Sequence, residues 1–361
     1  MATAENKKTS GGHVQGKGTV RWQSPSNIAL VKYWGKKENQ IPSSPSISMT
    51  LSRSVSEVRM EYQALPHQKG LQMEFSFEGV RNEKFEQRIR SYLQSLIPEL
   101  PFLDRLFLKI DSRNTFPHSA GIASSASGFS ALALCLCTIE NEVSDDLSDP
   151  AAFLQKASLL ARLGSGSASR SIYGRYTTWG KTKESITSAD EYALPLEEEI
   201  HPIFMDMYDT ILIVNSREKS ISSSAGHGLM VNHPYAEARF RQADENYSAM
   251  IRSLQRGDME QFTGITEQEA LSLHALMMSS RPGYLLLHPN TVLILESVRK
   301  YREKTGNPVC FTLDAGPNVH LLYPGTCREA VRQFIGEELL PLCEQGKWID
   351  DRIGDGPVQL E

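Results

Sequence analysis

The stretch NTFPHSAGIASSASG, Asn114 to Gly128, runs directly into the apolar segment FSALALCLCTI, Phe129 to Ile139. The second segment has the continuous apolar character of a buried helix, whereas the first is too small and too flexible to be core. Gly121 permits close backbone approach, Ser124, Ser125 and Ser127 offer hydroxyls, and Ala120, Ala123 and Ala126 leave room for something bulky. A loop that opens a helix aims unpaired backbone N–H groups at one point, and the helix dipole favours negative charge there, so the passage suits a phosphate. The same residues suit an N-capped helix packed tightly on a sheet, and the segment alone leaves both readings open.

Outward from this passage the chain alternates strands and helices. Leu106 to Ile110 is a short strand leading into the loop, and Thr19 to Gln23, Ile47 to Leu51, Val55 to Tyr62 and Leu71 to Phe77 read as strands upstream. Phe85 to Leu96 and Pro150 to Leu163 read as helices, and the aromatic strand Tyr176 to Trp179 completes a first α+β unit. Residues 181 to 206 are mostly polar and acidic and read as a connection. The expected division is a frayed tail over 1–17, an N-terminal domain over 18–190 and a C-terminal domain over 191–361. In the latter, Thr210 to Val214, Val309 to Leu313 and Val319 to Tyr323 read as strands. Pro234 to Leu254, Met259 to Met277, Asn290 to Tyr301 and Arg328 to Leu340 read as helices.

The 361 residues are enough for two domains with sizeable cores, and 40% hydrophobic and 22% charged content is that of an ordinary globular protein. A net charge of −5 supplies no global attraction to nucleic acid or acidic membrane, although a local basic pocket is compatible with it. The polar N-terminus lacks the apolar run of a signal peptide, and no stretch approaches the ~20 apolar residues of a membrane span. The five cysteines include no CxxC pair, and Cys135 and Cys137 lie in an apolar run, which points to a reduced, cytoplasmic setting.

Three further segments carry candidate chemistry. In SPSNIALVKYWGKK, Ser24 to Lys37, the polar Asn27, Lys32 and Lys36 stand among apolar residues; they belong either to an amphipathic edge strand with solvated lysines or to a site that rewards them. GSGSASRSIYG, Gly164 to Gly174, can wrap an anion through backbone N–H groups and hydroxyls, and Arg170 suits a carboxylate or phosphate through a two-pronged contact. In TLDAGPN, Thr312 to Asn318, Asp314 ends an apolar strand, where a carboxylate faces either a cleft or an ordinary turn. No Walker loop, dinucleotide fingerprint, zinc spacing or GxSxG elbow is present.

In this order, SPSNIALVKYWGK, NTFPHSAGIASSASG, GSGSASRSIYG and LDAGPN resemble the signature set of mevalonate diphosphate decarboxylases, ATP-dependent enzymes of the GHMP kinase superfamily. The resemblance spans roughly residues 19 to 340. It implies a two-domain α/β fold with a ribosomal-protein-S5-like N-terminal half and a ferredoxin-like C-terminal half. It also implies ATP-dependent decarboxylation of mevalonate 5-diphosphate to isopentenyl diphosphate through transient 3-O-phosphorylation, with Mg2+ and a homodimer. By motif, Asp314 would orient or deprotonate the 3-hydroxyl, Arg170 would hold the substrate carboxylate with help from Asn27, and Lys32 would place positive charge near the transferring group. Tyr33, Trp34, Gly35 and Lys36, with Ser165, Gly166, Ser167, Ala168 and Ser169, would line the substrate pocket, and Arg88 and Ser224 match further substrate contacts. Pro117, Ser119, Ala120, Gly121, Ala123, Ser124 and Ser125 would hold ATP, with Ser124 or Ser125 near the metal.

The chain departs from the family pattern at three places. Ser44-Pro45-Ser46 replaces an Asn-Ser-Ser segment on the expected nucleotide side, His118 replaces a small hydroxyl residue, and His227 stands where an apolar residue is usual. Relatives with another outcome, such as a mevalonate monophosphate decarboxylase, a mevalonate 3-kinase or a non-catalytic nucleotide binder, are the competing functions.

Overall fold

The computed structural model describes residues 16–65, 69–117, 122–144, 147–183, 188–196, 199–217 and 223–361, without the side chains of 144, 223 and 224. Its strands and helices follow in order: β1 (Lys17–Val31), β2 (Ser46–Ala64), β3 (Gln72–Phe77), β4 (Val80–Arg81), α1 (Glu83–Ser95), β5 (Leu106–Asn114), α2 (Ser124–Ser144), α3 (Pro150–Gly164), β6 (Tyr176–Trp179) and β7 (Leu194–Pro195). Then come β8 (Met207–Leu212), α4 (Ser223–Gly228), α5 (Ala236–Arg256), α6 (Met259–Ser279), α7 (Pro289–Thr305), β9 (Cys310–Thr312), β10 (Val319–Pro324), α8 (Arg328–Phe334), β11 (Trp348–Arg352) and β12 (Val358–Gln359). Among the described residues they form an eight-stranded sheet, ordered β12-β1-β2-β5-β3-β4 with β6 also paired to β2 and β7 to β6, and a four-stranded sheet ordered β11-β8-β10-β9.

Two strands are much longer than expected. β1 continues through Pro25, which has no N–H to give a ladder, because the register shifts between Pro25 and Asn27 and again between Ala29 and Val31. β2 joins what read as two strands. The break at Ser52 to Ser54 is bridged by Asp351, whose carboxylate accepts the N–H groups of Ser52, Arg53 and Ser54 at 3.0, 2.8 and 2.7 Å. The expected helix from Arg328 to Leu340 is α-helical only to Phe334, then passes through a π turn at Ile335–Leu339 into a 3-10 turn at Leu340–Leu342, which contains Pro341. The polar strand WIDDR of β11 and the short β12 lacked the apolar alternation that reveals strands, and both went unread. β12 returns to the first sheet, where Val358 pairs with Gln23 and Gln359 with Trp22.

Helices α2 and α3 cover one face of the first sheet through Leu134, Leu136, Leu160 and their neighbours. Helices α5 and α6 fill the space between the two sheets. Ile28, Leu30 and Met49 of the first sheet share a core there with Ile211, Met250 and Phe262 of the second half. Each such aliphatic side chain removed from water stabilises the joint by about 1.5–3 kcal/mol, so the halves are held face to face along β1. The last residues of β1 therefore emerge between them.

Candidate active site

Past Val31 the chain leaves the sheet and enters a cavity of about 240 Å³ between the halves. Asn27, within β1, anchors its wall: its amide donates to Ser171 Oγ at 2.8 Å and to the carbonyl of Ser167 at 3.1 Å, and its Oδ1 accepts Arg170 Nε at 3.4 Å. The segment Gly164 to Gly174 is a buried 3-10 helix over Gly166–Ile172, not a loose loop. A Cβ at Gly166 would stand 2.6 Å from the Tyr33 hydroxyl and push the ring aside, so glycine here lets the helix lie against it.

Asp314 follows β9 in a tight turn closed by Gly316 N–H on the Asp314 carbonyl at 2.7 Å. Its Oδ1 lies 3.0 Å from Lys32 Nζ, and the lysine is 2% exposed where the carboxylate is 27% exposed. The alternative of a solvated lysine on an edge strand is thereby excluded. Burial pulls the Lys32 ammonium below the ordinary lysine range; the nearby Asp314 and Glu269 carboxylates oppose this, and Arg170 adds to it. Arg170 donates through Nη1 to Ser46 Oγ at 2.7 Å. Burial brings its pKa down to about 10 against the opposing pull of Asp314 and Tyr33, so it remains a cation at neutral pH.

Tyr33 and Trp34 form an aromatic wall with His227, whose ring centroid lies 4.3 and 4.6 Å from theirs. His227 Nδ1 accepts the N–H of Gly35 at 3.1 Å, which puts the imidazole proton on Nε2. Burial, with Lys36 and Arg170 nearby, lowers its pKa to about 3 and keeps it neutral. At the mouth, Lys36 Nζ donates to Gln40 Oε1 at 2.9 Å, and the exposed Arg88 carries its guanidinium 4.8 Å from the centre of the Phe129 ring. A row of hydroxyls closes the remaining side, with Ser125 3.3 Å from Ser165 and Ser165 3.5 Å from Ser167. Among the described residues the cavity thus carries Lys32, Lys36, Arg88 and Arg170 against the single carboxylate of Asp314. Such a surplus fits a ligand with several negative charges.

Two family models match, "Diphosphomevalonate decarboxylase-like N-terminal domain" over residues 24–193 and "Mevalonate 5-diphosphate decarboxylase C-terminal domain" over 210–350. The diphosphomevalonate decarboxylase of Gibberella zeae is 31% identical over 320 residues, 83% of this chain and 79% of that protein. The chain belongs to the diphosphomevalonate decarboxylase family. The crystal structure of mevalonate diphosphate decarboxylase from Staphylococcus aureus superimposes with a TM-score of 0.82 at 29% identity, covering 96% of this chain and 98% of that one. A complex described as MDDEF with MVAPP, AMPPCP and magnesium gives 0.80 at 28% identity over 96% and 99% of the two chains. The mixed two-domain α/β architecture is that of this decarboxylase family and agrees with the GHMP-kinase-like fold implied by the motifs.

Of the residues that the decarboxylase motifs single out, Asn27, Lys32, Tyr33, Trp34, Lys36, Arg88, Ala123, Ser125, Ser165, Gly166, Ser167, Arg170 and Asp314 line the cavity. Others do not. Ala168 is buried in the first core, and Ser169 turns its hydroxyl onto the carbonyl of Gly166 at 2.8 Å; with three residues per turn the 3-10 helix puts Ser167 and Arg170 on the cavity face and these two residues off it. Gly35 contributes its N–H to His227 rather than a cavity surface, Pro117 is exposed outside the cavity, and Ser124 begins α2 without lining it. Ser119, Ala120, Gly121 and His118 lie outside the described residues, as does the side chain of Ser224. Ser46, in the segment expected on the nucleotide side, accepts a hydrogen bond from Arg170. Gln40, Leu273 and Ala315 line the cavity without having been singled out, and His227 was noticed only as a departure.

Proposed function

We propose that this cavity carries out the ATP-dependent decarboxylation of mevalonate 5-diphosphate to isopentenyl diphosphate, with release of ADP, phosphate and CO2. The observation that carries the reading is one cavity holding four cations around a lysine-paired carboxylate, in a member of the diphosphomevalonate decarboxylase family. A substrate with a diphosphate at one end and a carboxylate at the other, beside a nucleotide, supplies the negative charge that this surplus requires.

The division of labour follows from depth. Arg170, pre-oriented by Ser46 and Asn27, presents its planar fork to the substrate carboxylate. Lys32 Nζ holds Asp314 Oδ1 at 3.0 Å, and the carboxylate so placed can orient the 3-hydroxyl and take its proton. The ammonium of Lys32 then offsets negative charge developing nearby in a site poor in water. Lys36 and Arg88, at the mouth, suit the diphosphate. Ala123 and Ser125, at the start of α2, suit nucleotide phosphates at a helix N-terminus. ATP supplies the phosphoryl group that turns the tertiary hydroxyl into a leaving group.

No cluster of three or more acidic, histidine or cysteine ligands for a metal occurs among the described residues. This fits Mg2+ carried on nucleotide phosphates and water, with the hydroxyl of Ser125, which lines the cavity, at hand. The reading also takes a boundary near residue 190 and a homodimer in a reducing, cytoplasmic setting, the redox part of which is supported by five free, buried cysteines. No helix among the described residues is long and apolar enough to cross a membrane.

Purified protein given ATP, Mg2+ and mevalonate 5-diphosphate is expected to release CO2, ADP and phosphate in equal amounts. A phosphorylated product without CO2 would instead identify a 3-kinase, and faster turnover of the monophosphate a monophosphate decarboxylase.

A further inference from the structure

Beneath the Lys32–Asp314 pair runs α6, and it grips the backbone of both residues. Glu269 Oε2 accepts the N–H of Lys32 at 2.7 Å. Five residues on, His274 Nε2 lies 3.1 Å from the carbonyl of Asp314; a carbonyl only accepts, so this nitrogen carries the proton. Five residues span about 7.5 Å of helix axis, a length that a hydrogen-bonded helix holds firmly. Glu269 is itself fixed by α5. Arg239 donates to its two oxygens at 2.6 and 2.5 Å, Asn246 adds a bond at 2.6 Å, and Arg239 also reaches the carbonyl of Lys32 at 3.2 Å. Glu269, Arg239 and His274 are all buried.

We propose that Glu269 and His274 are positioning residues that set the separation of Lys32 and Asp314 from one rigid helix, with Arg239 and Asn246 holding Glu269 in place. Lys32 lies just beyond the last ladder pair of β1, so its peptide groups need new partners, and those partners come from the half of the molecule that also carries Asp314. A buried ion pair is a weak source of stability, and well-packed apolar replacements are often neutral or better, so stability alone is a poor reason for this network. Positioning is a sufficient one, since a misplacement of about 1 Å can cost about 10²-fold in rate. This inference rests on the assignment of Lys32 and Asp314 as the reacting pair.

The charged groups facing Lys32 are Asp314 after β9, Glu269 on α6, Asp209 on β8, which is paired with His320, Arg170 on the 3-10 helix and Arg239 on α5. Glu269→Gln removes a negative charge that favours the protonated lysine, so the alkaline limb of kcat should move to lower pH. The double variant Arg239→Met, Glu269→Met removes the ion pair as a unit but strands the Lys32 N–H and carbonyl, so it should melt below the parent and, where folded, lose about 10²-fold in kcat with little change in KM for either substrate. His274→Leu should lose about tenfold in kcat, and His274→Gln, which keeps a donor, should recover most of it.

A folded methionine pair with parental kcat overturns the proposal. If that pair does not fold, parental kcat in His274→Leu together with an unmoved pH limb in Glu269→Gln overturns it. Asp314→Asn, measured alongside, separates the two ideas. Parental activity there removes the assignment of the reacting pair, whereas an inactive Asp314→Asn beside fully active α6 variants removes this inference alone.

Discussion

The two ends of the cavity are built on opposite principles. At the deep end every charged group has a partner before any ligand arrives: Lys32 meets Asp314, Arg170 meets Ser46 and Asn27, and Glu269 is saturated by Arg239, Asn246 and the Lys32 backbone. At the mouth, Lys36 has the neutral Gln40 and Arg88 has a phenylalanine ring. A preorganised end holds its geometry whether or not ligand is present, and its interactions act on the chemical step. A mouth whose cations face neutral partners stores its attraction for the ligand, and its interactions act on binding.

That contrast can be broken by splitting kcat from KM. The largest effect is expected for Asp314→Asn, a loss of about 10³-fold in kcat with nucleotide KM near the parental value, read by CO2 release. Next comes Arg170→Lys, for which about 10²-fold loss in kcat/KM is expected, because an ammonium cannot serve Ser46, Asn27 and a carboxylate from one plane. Arg88→Ala should raise KM for mevalonate 5-diphosphate about tenfold while sparing kcat, and should disturb the monophosphate less. If Arg88→Ala lowered kcat and Arg170→Lys raised only KM, the proposed polarity of the cavity would be reversed.

The smallest effect concerns stability. His227 binds its proton with a pKa of about 3 in the folded chain against 6.5 for the free side chain, so between these values the unfolded chain holds more protons. Folding is then penalised progressively as pH falls from 6.5 towards 3. His227→Gln keeps an acceptor for Gly35 and should escape this loss, gaining on the parent by at most about 1.4 kcal/mol per pH unit in denaturant titrations.

Much of the architecture was legible because burial leaves periodic marks. The strand Tyr176–Trp179 and helices α3 and α6 fall where apolar spacing and capping residues put them, with Asp149 and Asp258 as N-caps. The long strands were misread where the mark is interrupted, at Pro25 and at Ser52 to Ser54, since the groups that carry β2 through its gap belong to Asp351, about 300 residues away. Within the site, Lys32, Arg170 and Asp314 were legible as ordered motifs. Glu269 was not, because in EQEAL it looks like any solvent-facing helix acid, and only its tertiary partners make it a buried one.

The order of the four motifs and the residue types within them sufficed for family and chemistry, because reacting groups have few chemical substitutes. Which side chains face the cavity depended on the tertiary structure. Ala168 and Ser169 turn away while their neighbours turn inward, Ser46 serves Arg170, and one helix of the second half holds the backbone of a lysine from the first. Such contacts join residues far apart in the chain, and nothing in their local sequence records which partner will satisfy them once water is gone.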